Sequence, residues 1–455
     1  MSTSIPHDGL PAGSRIWAVL TTMIGVGMAS LDTSIANTAL PSIAADVHAS
    51  PAGSIWVVNA YQLALVATLL PFGALGEILG YRRVYAVGLA VFTVASLVCA
   101  LSWSLPTLTA ARVLQGLGAS GMMSVNTALV RFIFPHRMLG RGLGINAMTV
   151  AVLTALGPTV AAGILSVAAW PLLFAVNVPF GVLAVVLALR VLPETPRAAR
   201  RFDWASGVLN AAAFGLLVFG IGEIAHSASR FVVLLVLAGA VAAGAALVRR
   251  QRRLSAPMLP LDLYRRPMFA LSSLTSMCSF SAQGLAYVSL PFLFQTVMGH
   301  SAVETGLLLT PWPVMTALMA PIAGPLSDRF PPALLGGAGL AVLCAGLVLM
   351  AALPADAGTV GICWRLAVCG TGFGFFQSPN LRAIMSSAPP ERSGGASGTV
   401  ATSRLLGQSL GAALVALCFG LSGQHGPALA LGLGAGFAGA ACVVSFSRLL
   451  ARPVT

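Results

Sequence analysis

Asp32 is the only charge in a hydrophobic run that begins at Ile16 and closes with Leu31-Asp32-Thr33-Ser34-Ile35-Ala36-Asn37-Thr38-Ala39-Leu40-Pro41. A carboxylate in a segment long enough to cross a bilayer costs roughly 2.5–3.5 kcal/mol at mid-membrane and by default marks an ion or substrate site. The competing reading puts Asp32 near the outer helix end, merely solvated. Arg112 and Arg365 pose the same question, since a guanidinium inside a spanning segment needs a partner or a water-filled cavity. Burial in an apolar surround disfavours an ionised carboxylate and a nearby arginine favours it, so an acid and an arginine together form a site that can switch. Asp32 is therefore the candidate proton-coupling residue, with Arg112 as its partner. Arg404 lies close enough to a helix end to snorkel.

The remaining chemistry is neutral or lies at helix ends. Asn37, Tyr61, Gln62, Asn126, Asn146, Gln283, Tyr287, Gln377 and Asn380 are candidates for lining a substrate cavity, although such residues also tie helices together. Glu77 with Arg82 and Arg83, and their counterparts Asp328 and Arg329, can bridge helix ends in one conformation and release in another. Anchoring on the arginine-rich side of the membrane is the alternative. Gly157-Pro158 removes a backbone donor and lets a helix kink, giving a candidate hinge. Glu223 is a weak second acid.

Absences narrow the chemistry. The chain has no lysine, which excludes a phosphate-binding G-x-x-x-x-G-K-[ST] loop and a Schiff-base residue. All six histidines fall in predicted tails or loops and the seven cysteines show no C-x-x-C spacing, so neither haem nor a metal centre is expected. No catalytic cluster is found. An enzyme is not expected, and protons are the only coupling species foreseen, with no cofactor.

The elements that must position these residues are membrane helices. With 57% hydrophobic and 8% charged residues, and a mean hydropathy of +0.90, a soluble domain is excluded. Fourteen apolar runs of about 20 residues can be drawn. They are 16–40, 55–75, 84–101, 105–129, 142–167, 172–192, 204–225, 231–248, 268–297, 304–326, 333–352, 358–385, 395–421 and 427–450. The net charge of +13 comes from 25 basic residues, all arginine, against 12 acidic ones, and 21 of the 25 arginines fall on one side if the loops alternate, so topology explains the charge better than nucleic acid does. The expected layout is a cytoplasmic tail at 1–15, a six-helix half at 16–192, a linker with two inserted helices at 193–267, a second six-helix half at 268–450 and a tail at 451–455. Both termini face the cytoplasm in this reading, and no cleaved signal is expected.

The halves are repeats. Gly116-Leu117-Gly118, Ser124 and Asn126 reappear as Gly370-Thr371-Gly372, Ser378 and Asn380 at an offset of 254, and Arg112 has Arg365 at 253. Gly73 to Glu77 and Gly324 to Asp328 are related by 251.

On these residues the chain resembles the major facilitator superfamily, and within it the fourteen-helix drug:proton antiporters. Leu31-Asp32 through Asn37 to Leu40-Pro41 is similar to that group's first-helix motif, and Gly73 to Arg83 to the superfamily loop motif. Leu108 to Ser120, with Arg112, Gln115 and Gly116, resembles the fourth-helix motif. Gly157-Pro158 up to Gly163 is similar to the antiporter motif, and Trp170, Phe174, Asn177-Val178-Pro179 and Gly181, followed by Asp203-Trp204, to the signatures of the sixth helix and the inserted pair. Glu77, Ile78, Tyr81, Pro171, Leu172, Ala161 and Ala162 depart from those patterns. The resemblance implies an all-α membrane protein with the major facilitator fold, a monomer in the bacterial cytoplasmic membrane that exports lipophilic drugs or dyes in exchange for protons. The partners expected are a small-molecule substrate and the lipid bilayer, with no nucleic acid. A proton-linked exporter of one metabolite or antibiotic, and a passive facilitator that would not need Asp32, are the alternatives.

Overall fold

The computed structural model describes residues 9–135, 138–199, 202–225, 230–254, 261–354, 356–388 and 393–449. Among them, fourteen helical rods follow one another where the apolar runs predict. These are α1 (Ala12–Asp46), α2 (Pro51–Leu79), α3 (Tyr81–Ala100), α4 (Leu105–Ile133), α5 (Leu139–Leu165), α6 (Pro171–Val191), α7 (Trp204–Ala225) and α8 (Arg230–Gln251). After the linker come α9 (Pro267–Val297), α10 (Ala302–Leu309 continued by Pro311–Arg329), α11 (Pro332–Ala351), α12 (Thr359–Ser386), α13 (Ser393–Ser422) and α14 (Gly426–Ser447).

Local chemistry sets several starts. Ser104 and Thr107 at α4, and Ser301 and Glu304 at α10, form reciprocal capping boxes that satisfy backbone donors left over at a helix N-terminus. Ser50 caps α2 by accepting from the Gly53 amide. Gly80 separates α2 from α3 at φ +96°, a backbone conformation that a side chain would strain.

By length and composition, eleven stretches qualify as membrane spans, or up to twelve if the bent pair in α5 is one span. Fourteen is compatible with this: α13 and α14 fall in one continuous stretch, and α4, which carries Arg112 and Gln115 inside it, is not among the qualifying stretches. Boundaries moved outward in places. α1 runs on through Pro41 to Asp46, and α9 ends in a widened turn at Leu293–Val297 after Pro291.

Packing repeats eight helices on. α3 lies on α4 as α11 lies on α12, α2 on α4 as α10 on α12, α1 on α5 as α9 on α13, and α3 on α6 as α11 on α14. Glycine makes the tightest of these contacts possible. A Cβ on Gly118 would strike the Phe92 amide and the Gly88 carbonyl of α3, and one on Gly372 would strike the Leu343 amide and the Gly339 carbonyl of α11. Gly116 against the Tyr61 carbonyl and Gly370 against the Trp312 carbonyl repeat the pattern on the other side.

The inserted helices α7 and α8 pair with each other, and α7 also touches α2 and α13. Asn210 of α7 donates to the Ala67 carbonyl of α2 at 2.7 Å. Asp203, just before α7, accepts from the Ser206 amide and takes the Arg250 guanidinium at 2.8 Å. The hydrogen bond from Arg250 is the main reason its carboxyl is held down, to about 2.

The halves meet most closely at the end remote from the chain termini. Ile35 and Leu40 of α1 pack in one cluster with Val288 and Phe292 of α9 and Val415 and Phe419 of α13. Gln295 donates to the Thr38 carbonyl at 3.1 Å and accepts from Ser42 at 3.3 Å, and Thr159 and Thr310 pair at 3.0 Å.

Backbone-to-backbone contact at Gly118 and Gly372 leaves no flexible group to yield. Gly118→Ala and Gly372→Ala should each destabilise the purified protein by about 1–3 kcal/mol, as overpacking does. Gly163→Ala, where a Cβ meets nothing within 4 Å, should not. Thermal unfolding in detergent checks this.

Candidate functional site

Five helices of the first half converge on one arginine. Arg112 points from α4 into the packed interior and is 0% exposed; Asp32 on α1 is 2% exposed. The Arg112 Nη1 donates to Asp32 Oδ2 at 2.5 Å and to Gln115 Oε1 at 2.6 Å, and its Nε donates to the Val57 carbonyl of α2 at 2.9 Å. The guanidinium stacks over the Tyr61 ring at 4.3 Å and faces Phe174 of α6 at 5.5 Å, so two aromatic faces clamp its plane. Its Nη2 has no hydrogen-bond partner.

The carboxylate is satisfied from other sides. Asp32 Oδ1 accepts from Gln115 Nε2 at 2.8 Å and from Asn177 Nδ2 at 3.3 Å, while Gln115 also donates to Ser96 of α3 at 2.9 Å. A buried ion pair is tolerable only when its remaining donors and acceptors are met in this way. Gln115 and Asn177 stand in motifs that the sequence singled out. Ser96 and the Val57 carbonyl carry no sequence signal.

Helical geometry separates this pair from the space between the halves. Ser30, Thr33, Ser34 and Asn37 lie at spacings of three and four on one face of α1 and line a central cavity of about 70 Å³, whereas Asp32 faces away from it toward α4 and α6. Tyr61, Gln62, Gln283 and Tyr287 line the same cavity, with Arg404 and Gln408 of α13. Four other cavity candidates lie elsewhere. Asn126 donates to Asn146 at 2.7 Å; Asn380 donates to Ser276 at 2.8 Å and accepts from Arg448 at 2.7 Å; Gln377 is exposed. These residues tie helices together or face outward, and none of them is in the cavity lining.

One arginine differs from its sequence reading. Arg404 does not snorkel to a helix end but borders the cavity. Arg448, which falls in the apolar run 427–450 and counts among the arginines of the charged side, is 1% exposed and bonded to Asn380, Ser272 and Ser445. Arg365, the repeat of Arg112, curls back to the Gly361 carbonyl at 2.7 Å and stacks on Trp364.

Arg82 donates to the Leu189 carbonyl and sits 3.8 Å from Glu194, while Glu77, Arg83 and Arg329 are exposed; the side chain of Asp328 lies outside the described residues. The side chain of Glu223 also lies outside them.

At the hinge, Pro158 has no amide proton for the Thr154 carbonyl one turn earlier. Ser34 of α1 supplies it, donating to Thr154 at 3.1 Å, and Gly157 makes room because any Cβ there would collide with Ser34. α5 bends by 40° between Met148–Thr154 and Leu156–Leu165, a turn before Pro158.

Residues 22–412 match the sequence profile of the Major Facilitator Superfamily. The chain belongs to the major facilitator superfamily. Among superfamily members, it is 54% identical over 98% of both chains to the uncharacterized transporter YebQ of Escherichia coli. It is 34% identical to the tetracenomycin C resistance and export protein of Streptomyces glaucescens, over 90% of this chain and 77% of that one. With the multidrug resistance protein Stp of Mycobacterium tuberculosis it shares 32% identity over 88% and 75%. A solved POT family transporter superposes over 98% of both chains with a TM-score of 0.72 at 14% identity, which shows the shared fold. The chain is thus a multi-pass membrane transporter and not an enzyme, and relatives with these names are consistent with the fourteen-helix drug exporters.

The hinge gives a two-step test. Ser34→Ala orphans the Thr154 carbonyl and should cost about 1–3 kcal/mol. In a Pro158→Ala background the new amide can reach that carbonyl, so Ser34→Ala should then cost under half as much. Equal costs in both backgrounds, by thermal unfolding, would break the link between hinge and hydroxyl.

Proposed function

We propose that this transporter exports lipophilic drugs or related small molecules in exchange for protons, by alternating access across the bacterial cytoplasmic membrane. The observation that carries the reading is the buried Asp32–Arg112 pair. Asp32 is an acid that a proton can neutralise, while Arg112 keeps its charge at any physiological pH. On protonation Asp32 gives up the ionic part of the contact, and Arg112 retains the Val57 carbonyl, Gln115 and two ring faces. Two states of the same interior are therefore available.

Proton arrival changes more than one bond. Asp32, Ser34 and Asn37 share α1, so a shift of that helix when the ion pair loosens reaches the hinge through Ser34–Thr154 and the cavity through Asn37 at once. The cavity of about 70 Å³ is well below the ~300–1,000 Å³ of a drug-sized site, so substrate needs the halves to part. Movement of α1 is the step that would couple the two. Glu77, Arg82, Arg83, Asp328 and Arg329 are suited to hold the helix ends together in the opposite state. The name of the tetracenomycin C relative supports export and that of Stp a drug substrate, and the protein is expected to work as a monomer.

Asp32→Asn mimics the protonated acid. Uptake into inverted vesicles with an imposed pH gradient should fall at least ten-fold, with exchange down a substrate gradient retained. Full gradient-driven uptake by the Asn variant would remove Asp32 from coupling, and a passive facilitator would ignore the gradient in the wild type.

Orientation is tested separately. Gln251 is buried against Ser206, whereas Arg252 beside it is exposed. In a background with the native cysteines replaced by serine, Arg252→Cys should resist an impermeant thiol reagent in intact cells, and Ser227→Cys should react. Labelling of position 252 from outside would reverse the topology.

A further inference from the structure

The central cavity is charged, and its charge is not Asp32. Its lining from the first half is Ser30, Thr33, Ser34, Asn37, Tyr61 and Gln62 with apolar neighbours, all neutral. From the second half come Gln283, Tyr287, Gln408 and Arg404. Arg404 is the one formally charged side chain among the described lining residues, and no carboxylate lines the cavity with it. Gln408 beside it is already engaged, donating to Gln283 at 3.1 Å. Opposite, Asn37 and Gln62 are nearly fully buried, and each holds an amide oxygen without a hydrogen-bond partner. Because the two ends of a carboxamide can exchange places, these groups can offer a donor or an acceptor to whatever enters.

We propose that the cavity takes an amphipathic organic anion, an ionised acid group of which, a carboxylate or phenolate, docks on Arg404 while its apolar body lies against Leu65, Met123, Tyr287 and Val288. This rests on the transport reading above and names the chemistry of its substrate. Among the described lining residues Arg404 has no counter-charge, and its polar neighbours are neutral, so an anion supplies what the site lacks and a cation adds a second like charge. The geometry also splits the ligand between the halves. Arg404 belongs to α13, and Asn37 and Gln62 belong to α1 and α2, so a ligand anchored on the cation and hydrogen-bonded to the amides spans the interface that alternating access must open and close. A planar guanidinium pairs a carboxylate through two parallel hydrogen bonds, which fixes the acid end of the ligand rather than merely attracting it.

Two dyes built on one xanthene frame read the charge directly: fluorescein, an anion at pH 7.5, and rhodamine 123, a cation. Full-length protein in nanodiscs is titrated against each by fluorescence polarisation, which needs neither turnover nor a proton gradient. The wild type should bind fluorescein at least ten-fold more tightly than rhodamine 123. Arg404→Gln should weaken fluorescein at least ten-fold and leave rhodamine 123 unchanged or tighter, while Arg404→Lys stays within a few-fold of wild type for fluorescein. If the Gln variant does not fold, the wild-type preference and the Lys variant decide. Equal affinities, absence of saturable fluorescein binding by the wild type, or an equal loss of both dyes in Arg404→Gln would overturn the assignment. Gradient-driven export of rhodamine 123 without fluorescein binding would sink the anion site and leave proton-coupled export standing. Fluorescein binding without any gradient-driven transport would do the reverse.

Discussion

A guanidinium that cannot shed its charge, held in a dry interior, dictates the first half of this protein. Removing one partner of such a pair typically costs 3–5 kcal/mol, so every element around Arg112 is bound by what that group requires. α1 supplies the counter-charge, α2 a carbonyl and a ring, α3 the hydroxyl that steadies Gln115, α6 a second ring and the Asn177 amide. α5 is absent from this set. It is tied in through Ser34, whose neighbours on α1 carry both the acid and the cavity face.

The second half keeps the frame and discards the charge pair. Gly372 packs on α11 as Gly118 packs on α3, yet Gln283 stands 251 residues after Asp32, and Arg365 turns back on its own helix. A buried cation reappears at Arg448, held by neutral oxygens from Asn380, Ser272 and Ser445. Duplication therefore conserved close helix contact, which depends on missing side chains, and let the ionisable chemistry diverge. The two halves present unlike charges to the interior: a neutralised pair on one side, lone arginines on the other.

Much of this was legible in the sequence because the signals are local or periodic. Apolar runs of membrane length located all fourteen rods, the glycine repeat gave the internal symmetry, and a single acid in a spanning segment singled out Asp32. Which polar residues face the cavity was not legible. Asn37, Gln62 and Gln283 line it, but Asn126, Asn146 and Asn380 are the same residue types at similar depth and bond to neighbouring helices instead. That choice depends on helix rotation, which hydropathy constrains poorly when all faces are apolar. Arg404 was misplaced for a related reason: distance from a predicted helix end says how far a side chain could reach, not which way it turns. The helix ends themselves shifted by several residues, as at α1, where Pro41 does not stop the helix.

The inserted helix α7 touches both halves, but unequally. Its polar grip is on α2, where Asn210 holds the Ala67 carbonyl at a directional distance, while no comparable bond to α13 is recorded among the described residues. A hydrogen bond resists displacement, and an apolar face tolerates slip. α7 and α8 should then travel with the first half and glide along α13, acting as a lateral bearing that keeps the two bundles in plane as they rotate. An insertion that looks like ballast in a twelve-helix scheme would in that case set the track on which the other half moves.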